Sequence, residues 1–177
     1  MVKLTPPMGW NSWNTFGENI NEKLIMETAD AMAASGLVEK GYEYLVIDDC
    51  WSLKERDGEG RLVADPEKFP NGMKAVADYV HGKGLKFGMY SCAGTLTCAG
   101  YPGSFEHEFV DAETFARWGV DFLKYDYCYH SPIIHGKYLY RRMGLALENC
   151  GRYILFSACS WGADETHEWI KETGASM

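Results

Sequence analysis

"FLKYDYC", residues 122–128, decides the fold. The stretch is apolar and aromatic apart from Lys124 and Asp126, so it reads as a buried strand carrying a charged pair. Side chains alternate between the two faces of a strand. Phe122, Lys124, Asp126 and Cys128 therefore share one face, and Leu123, Tyr125 and Tyr127 the other. Burying an unpaired charge is costly, so buried charges come with partners. Lys124 and Asp126 either close an ion pair at a strand end or line a pocket. In a pocket, Lys124 lowers the pKa of Asp126 and keeps it ionised. That would suit a nucleophile or an electrostatic stabiliser.

Similar short runs recur along the chain: "YEYLVIDD" (42–49), "LKFGMYS" (85–91), "YILFSACSW" (153–161) and, as a first strand, "MGWNSW" (8–13). Helical spacing separates them, over 21–36, 72–84, 111–119, 137–151 and 164–174. Gly36 suits a helix stop, and Asp111 suits a helix cap. Strands alternating with helices predict a parallel α/β sheet of about five units, without a linker or a low-complexity stretch. Segments 50–71 and 92–106 are long for β-α loops, which usually run about 2–6 residues. Trp13, Asp48, Asp49, Tyr90, Asp126, Ser160 and Trp161 fall at the C-terminal ends of the predicted strands. One acid at a strand end commonly caps a helix. Polar groups at five such ends point to one site, where β/α barrels and open α/β sheets place function. No GxGxxG or GxxxxGK[ST] stands at a strand-to-helix turn, which argues against a nucleotide site.

The 177-residue chain carries a net charge of -8, with 46% hydrophobic and 24% charged residues. Such a chain is long enough for one domain with a real core. Its acidity argues against nucleic acid or an anionic membrane as partner. No apolar run reaches the roughly 20 residues that span a bilayer. The N-terminus lacks an apolar signal region, so the expected location is cytoplasmic if that terminus is native. The six cysteines form no CxxC pair, and no Cys/His cluster has zinc-finger spacing. One or two disulfides are compatible with their number, with no pairing set by spacing. The five histidines (His81, His107, His130, His135, His167) fall in helices or loops and read as surface residues. A metal held by Asp48, Asp49 and Asp126 ranks below ligand binding, since no histidine stands at a matching strand end. No cofactor or metal is expected. The abundance of Trp and Tyr serves core packing or offers flat faces to a ligand such as a sugar.

"PPMGWNSWNTF", "YEYLVIDDCW", "GRLVADPEKFPNGMKAVADYVHGKGLKFGMYS", "TCAGYPGSF" and "WGVDFLKYDYC" together resemble glycoside hydrolase family 27, from about residue 4 to the end of the chain. The resemblance implies a (β/α)8 TIM-type barrel. Residues 1–177 would form a single domain holding about its first five β/α units, without the later barrel strands or the β-sandwich. It also implies hydrolysis of terminal α-linked galactose with retention of configuration, on a galactose-containing oligosaccharide or glycoconjugate. Asp126 matches the nucleophile and Lys124 a donor to sugar hydroxyls. Asp48 and Asp49 match acceptors for the far hydroxyls, Trp13 an aromatic wall and Tyr90 a pocket tyrosine. Cys98 and Cys128 match a disulfide beside the site.

Cys159 and Trp161 fit the Cys-x-Trp arrangement that crowds the sugar's 2-position, which favours galactose. Ser160 and Ala163 can also be read as making room for an N-acetyl group, as in α-N-acetylgalactosaminidases. The family's general acid follows a sixth strand in an Arg-x-x-x-Asp context, and this sequence stops at "KETGASM" before it. Three expectations follow: a fragment inactive alone, a non-catalytic galactose-binding or assembly module, or a chain completed by self-association or by another chain. The family disulfide near Cys50 has no partner in 14–40, so Cys50, Cys92, Cys150 and Cys159 read as free thiols.

Overall fold

The computed structural model describes residues 5–177. The apolar runs become strands β1 (Met8–Asn11), β2 (Tyr42–Val46), β3 (Lys86–Cys92), β4 (Phe122–Asp126) and β5 (Leu155–Cys159). They pair in sequence order, and every pairing is parallel. Parallel neighbours need long crossovers, and helices supply them. The helices are α1 (Trp13–Phe16), α2 (Glu22–Ala34), α3 (Gly72–Gly82), α4 (Glu108–Trp118), α5 (Gly136–Asn149) and α6 (Thr166–Trp169). The result is a half-barrel of the (β/α)8 type.

Alternation divides the sheet into two faces. Leu45, Ile47, Phe87, Met89, Leu123, Tyr125 and Phe156 point to the helices. There they pack with Ile25, Met73, Val76, Phe115, Leu139, Tyr140 and Met143 in one large core cluster. Burying each large side chain of this kind contributes roughly 1.5–3 kcal/mol. Val46, Phe122 and Leu155, with Tyr44 against them, form a separate apolar floor on the opposite, concave face. Val46, Gly88, Phe122 and Leu155 stand level across four strands. A Cβ at Gly88 would lie 2.7 Å from Val46 Cγ2 and 3.2 Å from Phe122 Cβ, so glycine lets the floor close. Above the floor come Tyr90, Lys124 and Ser157, and above those Cys92, Asp126 and Cys159.

Three local expectations change. The first strand stops at Asn11, because Asn11 Oδ1 accepts the Trp13 amide at 2.9 Å and starts a helical turn. Helix α4 begins at Glu108, so Asp111 lies inside it and is not its cap. Asp111 is fully buried and takes two hydrogen bonds from Arg56, at 2.6 and 2.8 Å. Burial pushes its carboxyl up, against the lowering effect of Arg56. The helix expected over 164–174 breaks into short turns around α6. Asp164 and Glu165 take left-handed backbone angles. The Asp164 carboxylate is held by the Tyr127 hydroxyl and the Gly136 amide, while Trp169 docks its ring on Tyr140.

Arg56 also donates to Gly60 O and Gly103 O, at 2.8 and 2.7 Å. One side chain thus fastens both long loops to α4. Replacing it leaves a buried carboxylate without its cation. We expect Arg56→Met to cost about 3–5 kcal/mol, read as a lowered urea midpoint at unchanged slope. An unchanged midpoint would show that Arg56 is not what holds these loops.

Candidate active site

Each strand delivers its last residues to the same edge of the sheet. Asp48 and Asp49 follow β2, Tyr90 lies near the end of β3, Asp126 closes β4 and Cys159 closes β5. The backbone there folds on these side chains. The Asp48 amide donates to Ser12 Oγ (3.0 Å), the Asp49 amide to Asp48 Oδ1 (3.0 Å) and the Cys50 amide to Asp49 Oδ1 (2.7 Å). This tight winding carries Cys50 into the left-handed region, at φ 72°.

The charged pair is not the one expected from residues 122–128 alone. Lys124 Nζ meets Asp48 Oδ2 at 2.8 Å, not Asp126. Residues i and i+2 of a strand lie roughly 6.6 Å apart along it. The lysine stem instead crosses β3, with its ammonium 5.1 Å from the centre of the Tyr90 ring. The same Asp48 oxygen accepts Asn11 Nδ2 at 2.7 Å. An ammonium has three donors, so Lys124 keeps capacity for a ligand.

Asp126 is held by neutral donors. The Tyr127 amide donates to Oδ1 at 2.8 Å and the Tyr90 hydroxyl to Oδ2 at 3.2 Å. Burial, and then the charges of Asp126 and Asp49, drive the Tyr90 phenol far above its ordinary value, so it remains a donor. Asp49 Oδ2 accepts the Ala99 amide at 3.0 Å. Burial raises the Asp49 pKa, with the charge of Asp48 adding to it, while the Ala99 and Cys50 amides and Thr97 oppose.

Cys98 and Cys128 are joined in a disulfide that ties the loop after β3 to the end of β4. Cys50, Cys92, Cys150 and Cys159 are free. Burial holds two of these thiols protonated, Cys50 at about 11 and Cys92 at about 12. Cys159 is also raised, first by burial and next by the Asp126 charge.

The other expected residues divide. Cys159 and Lys124 line a concave cleft of about 290 Å³ that opens above the apolar floor. Ser160 falls on the alternate face, where its Oγ pairs with Thr166 Oγ1 at 2.6 Å. Trp13 is 39% exposed, and Trp161 is 89% exposed at φ 58°. Not every histidine stands free: His81 bonds Asp121 at 2.7 Å, and His130 stacks on Tyr127 at 3.8 Å. Sequence reading missed Asn11, Ser12 and the amides of Ala99 and Tyr127. Asn11 was accessible by parity, since it alternates with Trp10 on β1. The amides carry no sequence signal.

Chemically, this edge presents buried carboxylate acceptors, one ammonium donor and a carboxylate oriented by two hydrogen bonds. That set suits a neutral ligand rich in hydroxyl groups. Lys124→Met should cost about 3 kcal/mol, below the full cost of breaking a buried pair because the lysine side chain is 24% exposed. Adding Asp48→Asn should recover most of it, and a double-mutant cycle in urea with no coupling would refute the pairing. Asp49 should titrate above its ordinary value of 3.8 by carbon NMR. Between the unfolded and folded values only the folded state holds that proton. Its contribution to stability therefore falls as pH rises through that window, and Asp49→Asn should remove the slope.

Residues 5–172 match the Melibiase_2 family model, described as alpha galactosidase A. An alpha-galactosidase of Coffea arabica is 56% identical over 174 residues, covering 98% of this chain and 46% of that one. Alpha-galactosidase I from Mortierella vinacea superposes with a TM-score of 0.92 at 47% identity, over 96% of this chain and 44% of that one. An alpha-galactosidase from Saccharomyces cerevisiae, solved with raffinose, gives a TM-score of 0.92 at 47% identity, over 98% and 38%. The chain spans less than half the length of each of these relatives.

Proposed function

The chain belongs to the alpha galactosidase A family of glycoside hydrolases, and on that premise we propose that it carries the nucleophile side of a retaining α-galactosidase site. The observation that carries this reading is the setting of Asp126. It is buried, ends a central strand, and has each carboxylate oxygen aligned by one donor. In a retaining glycosidase such a carboxylate attacks the anomeric carbon and forms a glycosyl ester, which water then hydrolyses. Lys124 and the acceptors Asp48 and Asp49 bind the sugar hydroxyls. The substrate class is a galactose-containing oligosaccharide or glycoconjugate.

One feature supports galactose over its N-acetylated analogue: Cys159 ends β5 level with Asp126, where its side chain takes up space beside the carboxylate. A retaining mechanism also needs a second carboxyl about 5–5.5 Å from the first, to protonate the leaving oxygen. By family resemblance that acid lies after a sixth strand. The five strands described here do not include that element.

The reading can be tested without that acid. Fluoride leaves an α-galactosyl fluoride without needing a proton donor. Incubation should leave one galactosyl ester on Asp126, located by peptide mass mapping and absent in Asp126→Asn. The gluco epimer should leave none. An ester elsewhere, or none at saturating fluoride, would sink the assignment.

A further inference from the structure

We propose that, once its disulfide is reduced, the protein binds a thiophilic divalent cation such as Zn²⁺ or Cd²⁺ through Cys98, Cys128 and Asp126. The ligand atoms of these three residues all lie within 4.8 Å of one another. The Tyr90 hydroxyl lies beside two of them, at 3.2 Å from Asp126 Oδ2 and 3.3 Å from Cys98 Sγ. A tetrahedral zinc with Zn–S near 2.3 Å and Zn–O near 2.0 Å sets its ligand atoms about 3.5–3.8 Å apart. That spacing needs the two sulfurs to separate from bonding distance. Two thiolates and one carboxylate form a set suited to zinc or cadmium, with a fourth position left for water.

In the oxidised protein both sulfurs are committed to each other and neither is a thiolate. The bridge is open to attack, since Cys98 is exposed and Cys128 half-buried. Reduction adds two electrons and two protons, breaking the S–S bond to give two thiols. With a phosphine as reductant, the phosphine becomes its oxide by taking oxygen from water. Cation binding then forms two metal–sulfur bonds and one metal–oxygen bond to Asp126, displaces water from the hydrated cation and releases the two thiol protons.

The site survives opening of the bridge because other bonds hold its two segments. The Ala93 amide donates to Asp126 O at 2.9 Å, and the Thr95 amide to Tyr129 O at 3.2 Å. Cys92 Sγ donates to Cys128 O at 3.1 Å, and the Ala99 amide still holds Asp49. Metal capture engages the Asp126 carboxylate. Resting on the function proposed above, the cation would therefore switch off the nucleophile only under reducing conditions.

The test is a Cd²⁺ titration of the phosphine-reduced full chain under argon, followed by the ultraviolet thiolate-to-metal absorption. We expect one equivalent bound by reduced protein and none by oxidised protein. Cys98→Ser and Cys128→Ser should abolish uptake, while Cys50→Ser and Cys150→Ser should leave it. Asp126→Asn keeps both thiols and should weaken binding at least roughly tenfold, the scale seen even for outer-sphere partners. Equal uptake by oxidised protein or by the Cys98/Cys128 double variant would overturn the proposal. So would unchanged affinity in Asp126→Asn, or loss of the helical circular dichroism on reduction. None of these readouts uses sugar, so failure here is separable from failure of the glycosidase reading.

Discussion

The Asp48 carboxylate is 2% exposed at the rim of an apolar half-barrel, and a charge so placed requires a counter-charge or hydrogen bonds. It receives both. Lys124 reaches it from β4, Asn11 from β1, and its other oxygen takes the Asp49 amide. Tyr90 of β3 lies beneath the crossing lysine. Satisfying one buried carboxylate therefore enlists four strands. It also ties the site to sheet register: a one-residue slip of β4 would turn Lys124 and Asp126 to the helix side. A buried ion pair adds little net stability, because desolvation offsets much of its attraction. What this pair secures is the relative placement of β1, β2 and β4 at the rim.

The loops obey a related constraint. They are long, and long loops close at an entropic cost that other contacts must offset. Arg56 supplies such contacts by joining the loop after β2, the loop after β3 and Asp111 of α4. The Cys98–Cys128 bridge supplies a second tie, from the loop after β3 to the end of β4. Ala99, next to Cys98, holds Asp49, and Tyr127, next to Cys128, holds Asp126. One covalent link thus steadies the backbone donors of two carboxylates.

The strands were legible in the sequence because their signal is local: apolar runs of alternating parity, each ending in polar residues. Parity also placed Lys124 and Asp126 on one face. It could not tell that Lys124 reaches past its neighbour to Asp48, since that depends on which strands lie side by side. Asp111 looked like a cap because capping is read from a few adjacent residues. Its actual partner is Arg56, far away in sequence on another loop. The segment 164–174 had helical spacing, yet Asp164 is drawn to Tyr127 and Gly136, and tertiary contacts outweigh propensity there. Asp48, Asp49 and Asp126 were singled out by their places at strand ends, but the amides that hold Asp49 and Asp126 belong to the backbone and leave no mark in the sequence.

The same division of faces bears on selectivity under the proposed function. The floor of Val46, Phe122 and Leu155 is apolar and discriminates weakly, since a methylene in such a pocket is worth only about 1–3 kcal/mol. The rim differs. Asp48 and Asp49 are buried acceptors whose oxygens are partly occupied by fixed donors, so the remaining lone pairs point in set directions. A sugar with one hydroxyl displaced would leave such an acceptor desolvated and unpaired, and sites of this kind reject the wrong ligand far more strongly. Epimer choice then depends on how rigidly the acceptors are held, which returns it to Lys124, Asn11 and the Ala99 amide.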